Sequence, residues 1–280
     1  MLGIHAKRGV EATFERIFSA SGGKLRALNV VWSGKSASIC HEDGRLECLT
    51  LPNIDETADI TKTEFNNLIA FALHELGHLW YTKNKYWKRE SQVRGKFFHS
   101  LVNGLEDPRI EKNVIEAGLA GNARSLFENL VNDMLMRDGY VQPNDRKNIP
   151  FMLAIEGRRL NGYNICAASI LDRSKYGEVL KEALSRKCAS TDNVVDVAIW
   201  LYAKLNEIDE QTREGDDPER QGDEGNQEKK QGDETNESGK GDSEKQDSQA
   251  RDVEPHLDMK SKTNSKNTPM VGGFEIVEIK

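Results

Sequence analysis

Between residues 65 and 81 apolar side chains recur at Phe65, Leu68, Ile69, Ala72, Leu73, Leu76, Leu79 and Trp80. That is the i, i+3, i+4, i+7 stripe of a buried helix. Into this stripe the chain sets His74-Glu75-Leu76-Gly77-His78. Polar groups on a buried helix are costly unless partners meet them, so any fold that buries this helix must gather compensating chemistry around it. His74 and His78 stand one turn apart and project from one face. Two imidazoles so placed can both reach a Zn²⁺ at about 2.0–2.1 Å. Glu75, beside the first histidine, can then reach a water rather than the ion, as a general base requires. A histidine pair alone is often a coincidence. The conjunction H-E-x-x-H within one apolar helix, with Gly77 removing bulk near the pair at about 1 kcal/mol of helix propensity, favours a metal site.

Two histidines leave a zinc ion short of a third protein ligand, usually His or a carboxylate. The best supplier lies in a second helical stretch, 96–118, expected to be interrupted or bent near Pro108. It holds Asn103-Gly104-Leu105-Glu106-Asp107-Pro108-Arg109-Ile110-Glu111, and its acids among apolar neighbours need partners. In zinc peptidases with a glutamate ligand a second acid often follows four residues later and hydrogen-bonds a ligating histidine, and Asp107 and Glu111 resemble that pattern in their spacing. Glu106 has the commoner ligand type, but Ile110 stands four residues after it. Asp107 is favoured, Glu106 is the alternative, and Glu111 with Arg109 is assigned to support. The bland reading is an ion-pair network of Arg109 with Glu106 or Glu111.

Ahead of these helices, 9–19 reads as amphipathic, with Val10, Phe14, Ile17 and Phe18. Runs 28–32, 37–41 and 45–51 have strand character, and Asp43-Gly44 is a hairpin signal. In the third run the alternation slips by one residue between Cys48 and Leu49, as a bulge or burial on both faces would cause. A small antiparallel sheet is therefore expected; leading into the H-E-x-x-H helix, it resembles the upper half of many zinc peptidases, and that resemblance implies 45–51 as the edge strand that pairs with an extended substrate. The polar stretch 84–95 reads as a loop or short helical lid. Apolar runs at 122–136, 149–160, 167–171, 179–184 and 194–205 read as core packing of a helical half. Asp133 and Arg137 read as an i, i+4 surface pair, and an oxyanion donor is sought among Tyr81, Tyr86, His99 and Tyr163.

Composition divides the chain. Residues 207–250 carry 16 acidic and 6 basic side chains, a net of −10 against −7 for all 280 residues, so the remainder carries +3. Such a segment buries too little apolar surface to offset its ordering entropy, and disorder is expected through Pro269. Its sign disfavours nucleic acid. The four cysteines form no C-x-x-C pair, no leader segment is visible, and no apolar run reaches the length that spans a bilayer. A cytoplasmic setting with reduced thiols is the expectation.

His74-Glu75-Leu76-Gly77-His78 followed by N-x-L-E-D-x-R-I-E resembles the N-terminal region of CobT-like proteins. That resemblance spans roughly residues 10 to 250. It implies a helical region, a very acidic linker and a C-terminal von Willebrand factor A domain. The cobaltochelatase subunit resembles this chain at Leu105, Glu106, Arg109 and Glu111 but lacks H-E-x-x-H. Phage and bacterial versions with H-E-x-x-H look like zinc peptidases. The chelatase pattern requires no acid at Asp107, which strengthens Asp107 as ligand. The chain departs from the family in lacking a D-x-S-x-S motif, and only 272–280 follows the linker, with Phe274 to Ile279 reading as one strand.

The expectation is an α+β, mainly helical zincin-like metallopeptidase domain over 1–206, a disordered linker over 207–269 and a strand-like segment over 270–280. The expected activity is zinc-dependent peptide hydrolysis of a peptide or protein substrate, with no membrane or nucleic-acid partner. The alternative is a non-catalytic zinc-stabilised adaptor working with an AAA+ ATPase or a von Willebrand A partner.

Overall fold

The apolar stripe forms a helix that starts where the chain supplies a reciprocal cap. In the computed structural model, which describes residues 1–21, 29–34, 37–42, 45–138 and 141–215, Thr61 and Glu64 make a capping box. The Thr61 hydroxyl accepts from the Glu64 N–H at 3.2 Å, and the Glu64 carboxylate accepts from the Thr61 N–H at 2.8 Å. Two otherwise unpaired N–H groups are satisfied in this way. The helix that follows runs Lys62–Tyr81.

The described residues form eight α-helices and one three-stranded sheet. In chain order these are α1 (Gly3–Ala20), β1 (Val30–Trp32), β2 (Ser38–Glu42), β3 (Arg45–Leu51), α2 (Lys62–Tyr81), α3 (Asn84–Arg94), α4 (Lys96–Ala117), α5 (Ala123–Asp138), α6 (Ile149–Leu160), α7 (Gly177–Ser185) and α8 (Thr191–Gly215). The stretch expected as loop or lid is thus helical, and Gly95, at φ 84°, separates it from α4. The run 167–171 forms no α-helix, only entering a 3₁₀ turn at Leu171–Arg173. No helix among the described residues is long and apolar enough to cross a membrane.

The sheet is mixed rather than antiparallel. Its order is β1-β3-β2, with β1 parallel to β3 and β2 antiparallel to it. The strand expected at the edge is therefore the central one. Leu49 and Leu51 of β3 are fully buried, as suits a strand flanked on both sides, and the open edges belong to β1 and β2. The register is regular across Cys48 and Leu49, where the slip was expected, and shifts just before them: Cys40 faces Cys48, but His41 faces Leu46, so Glu47 is the extra residue. The Asp43-Gly44 turn lies outside the described residues.

Two apolar cores form. The first joins α1 (Val10, Phe14), the sheet (Ile39, Leu49, Leu51), α2 (Leu68, Leu73, Leu76) and α5 (Phe127, Leu130). The second joins α3 (Trp87), the first half of α4 (Phe98, Leu101, Leu105), α6 (Leu153), α7 (Leu180) and α8 (Val194, Leu201). Helix α4 reaches both, since Val114 packs in the first. It is continuous through Pro108, so the expected bend does not become a break. Its contact with α6 is set by reciprocal small and rigid residues. A Cβ on Gly104 would stand 2.3 Å from the Pro150 carbonyl oxygen, and one on Gly157 would stand 2.7 Å from the Pro108 ring.

Helix α8 continues to Gly215, so residues 207–215, expected within the linker, are helical. The remainder of the expected acidic linker and the strand-like C-terminal segment lie outside the described residues.

Candidate metal centre

Helix α2 presents His74, Glu75 and His78, and α4 crosses it with Asp107 and Glu111 one turn apart on one face. Gly77 makes the close approach feasible, since a Cβ there would stand 3.2 Å from Val114 and 3.3 Å from Ile110 of α4. The two histidine Nε2 atoms are 3.2 Å apart. Asp107 Oδ1 lies 3.4 Å from His78 Nε2 and 3.7 Å from His74 Nε2. Two ligands each about 2.0–2.1 Å from a tetrahedral ion stand roughly 3.3 Å apart. The three atoms therefore have the separations of three corners of one tetrahedron.

Their hydrogen bonding points the same way. His74 Nδ1 is 2.8 Å from Glu111 Oε1, and a carboxylate there accepts, which places the ring proton on Nδ1 and a lone pair on Nε2. Asp107 Oδ1 is buried without a hydrogen-bond partner, while its other oxygen, Oδ2, stands 3.8 Å from Arg158. A lone pair on His74 Nε2 thus stands near the unpartnered Asp107 Oδ1. Leaving them so is unfavourable, and a cation at their centre resolves it. Among the described residues, His74, His78 and Asp107 are the group of His, Cys, Asp or Glu side chains able to hold an ion, with no fourth member.

Glu75 is fully buried and neither of its oxygens has a hydrogen-bond partner. Burial pushes its pKa up to about 8; the neighbouring His74 opposes this, Asp107 adds to it, and the facing Ile39 N–H of β2 relieves it slightly without reaching hydrogen-bond geometry. Glu111 shows the contrary balance. Burial raises its carboxyl, but Arg158 outweighs that, and with His74 brings it down to about 2. Arg158 donates to Glu111 at 2.8 Å from Nε and 2.6 Å from Nη2, and the Tyr163 hydroxyl donates to it at 3.1 Å.

Glu106, the alternative ligand, is not in the group. Successive residues on a helix point about 100° apart, so Glu106 and Asp107 cannot both face α2's histidines. The Glu106 carboxylate accepts from Arg109 Nε at 2.8 Å and Nη2 at 2.6 Å, and from the hydroxyls of Thr82 at 2.9 Å and Thr191 at 2.8 Å. Arg109 is thereby placed on Glu106 rather than on Glu111, so the ion pair foreseen for this stretch exists beside the metal group. Arg158, from α6, was missed by sequence reasoning; it stands between Glu156 and Arg159 in the same helix, so no local signal set it apart. Three of the four oxyanion candidates have other contacts, Tyr163 with Glu111, Tyr86 with Asp196 at 3.0 Å and His99 stacked on Trp87, while the ring of the fourth, Tyr81, meets Trp80 edge-on. Asp133 accepts from Asn67 of α2 at 2.9 Å, an inter-helix contact.

Comparison with known protein families, curated proteins and solved structures gave no match.

Proposed function

We propose that this chain is a zinc-dependent, zincin-like hydrolase of peptide bonds. The observation that carries the reading is the convergence of His74 Nε2, His78 Nε2 and the unpaired Asp107 Oδ1, with the unpaired Glu75 carboxylate beside them. Zinc bound by these three residues would polarise a scissile carbonyl and lower the pKa of a bound water toward about 7. Glu75 takes a proton from the attacking water and delivers it to the leaving amine. Burial favours that use, because it leaves the carboxylate without competing hydrogen bonds and holds it in a dry setting where charges act strongly. Glu111, locked by Arg158, holds the His74 ring so that Nε2 faces His78 and Asp107, the residues that with it would hold the ion. An extended substrate has an open strand available at β2, whose Ile39 N–H faces Glu75.

One observation favours the non-catalytic alternative. His74, His78, Asp107 and Glu75 are each no more than 1% exposed, as in a closed structural site. Metal content and cleavage of an unfolded protein separate the two. Wild type and Glu75→Gln should hold equal zinc, and only wild type should cleave. Equal cleavage by both would sink the mechanism. Zinc without cleavage in either would favour the zinc-stabilised adaptor, with an AAA+ ATPase or a von Willebrand A protein as the kind of partner to seek.

A further inference from the structure

We propose that Thr82, Glu106, Arg109 and Thr191 form a relay that fixes the tautomer and ring orientation of His78, so that Glu106 serves the centre from behind a ligand instead of binding the ion. The inference rests on the zinc reading for its functional weight, but its geometry stands independently.

The proton count along the relay is determinate. Arg109 has only donors, and its Nε and Nη2 occupy both Glu106 oxygens. A carboxylate so paired accepts only. The Thr82 hydroxyl, 2.9 Å from Glu106 Oε1, spends its single proton there. What Thr82 Oγ1 has left is lone pairs, and His78 Nδ1 lies 3.0 Å from it. His78 must therefore carry its proton on Nδ1 and a lone pair on Nε2, the atom that faces His74 and Asp107. With the proton on Nε2 instead, ligation by that atom would be blocked.

Thr82 grips His78 at both ends. It caps the C-terminus of α2, and its backbone N–H donates to the His78 carbonyl at 3.0 Å while its side chain meets the His78 ring. Thr191, the first residue of α8, holds the far side of Glu106. Its hydroxyl donates to Oε1 at 2.8 Å and accepts from the Lys83 N–H at 2.9 Å. Arg109 also donates to the Tyr81 carbonyl at 2.8 Å. Both threonines are buried, and Glu106 is fully so. The relay thus joins the end of α2, the middle of α4 and the start of α8, tying the second core to the histidine on the first.

An ordinary capping network would predict loss of stability alone. The test is Thr82→Val, Thr82→Ser and Thr191→Val in the full chain, read by zinc affinity against a competing chelator and by the ¹⁵N shifts of the His78 ring in metal-free protein. Thr82→Val should weaken zinc at least tenfold, within the ~10–100-fold cost of losing such a support, and move the His78 ring out of its Nδ1–H form. Thr82→Ser should restore both, and Thr191→Val should weaken zinc by a smaller factor. A Thr82→Val protein with wild-type zinc affinity and an unchanged His78 ring would overturn the relay. If wild type takes up no zinc, the metal reading fails, and the His78 ring shifts still decide the relay: unchanged shifts in Thr82→Val reject it and changed shifts support it.

Discussion

The His74 and His78 sides of the centre solve one problem in two ways. To bind the proposed ion each histidine needs its Nδ1 held so that Nε2 is free, and each is backed by a glutamate of α4 that is itself clamped by an arginine. On the His74 side the support is direct: Glu111 touches the ring at 2.8 Å and Arg158 of α6 clamps Glu111. On the His78 side Glu106 is one residue further out, reached through Thr82, and its arginine, Arg109, comes from the same helix. The difference follows from helix geometry. His74 lies within reach of the face that Asp107 and Glu111 share, whereas Glu106 points about 100° away and needs an intermediary. A direct support couples the ring to a buried ion pair. A relayed one couples it to a helix end and to another core.

The largest effect that breaks this comparison treats both sides alike. His74→Ala and His78→Ala should each abolish stoichiometric zinc in metal analysis, and Asp107→Ala should do nearly the same. Retention of zinc by Asp107→Ala would overturn the ligand set. Next comes Arg158→Ala, which strands Glu111 as a buried charge and should cost about 3–5 kcal/mol in denaturant unfolding. A loss below about 1 kcal/mol would mean that Glu111 finds another partner. Glu111→Gln should then weaken zinc by about 10–100-fold, and Glu106→Gln by less, since one hydroxyl intervenes. The reverse order would show that the relayed side dominates.

The smallest effect is a control remote from both sides. Asp209 of α8 accepts from Tyr176 and Arg146, each at 2.6 Å. Burial raises its carboxyl, but these hydrogen bonds prevail and hold it below the usual carboxylate range. Because the folded state has the lower pKa, its contribution is present above the unfolded value of about 4 and fades as pH falls through the folded one. Asp209→Asn should cost about 1 kcal/mol near neutral pH, progressively less in acid, and leave zinc affinity unchanged. A fall in zinc affinity would extend the coupling of α8 to the centre well beyond Thr191.

What could be read from the residues follows from how local each signal is. The periodicity around His74-Glu75-Leu76-Gly77-His78 and the four-residue spacing of Asp107 and Glu111 are properties of single helices, so the convergence of these five side chains was legible. Helix α3 was left open between a loop and a short helical lid because its polar sequence gives no stripe. The sheet order was missed because alternation reports which face of a strand is buried, not which strand lies beside it. Thus β3, with its buried Leu49 and Leu51, proved central and β2 took the edge.

The sequence alone determined that His74, Glu75 and His78 share one helix and that an acid stands at a position able to join them, because helix geometry turns spacing into direction. Only the tertiary structure decided between Asp107 and Glu106, since that choice depends on which face α4 turns toward α2. Only it brought Arg158 from α6 onto Glu111 and Thr191 from α8 onto Glu106. Those contacts join residues 47 and 85 positions apart. Separations of that size are set by the packing of helices against two cores, and no local pattern encodes them.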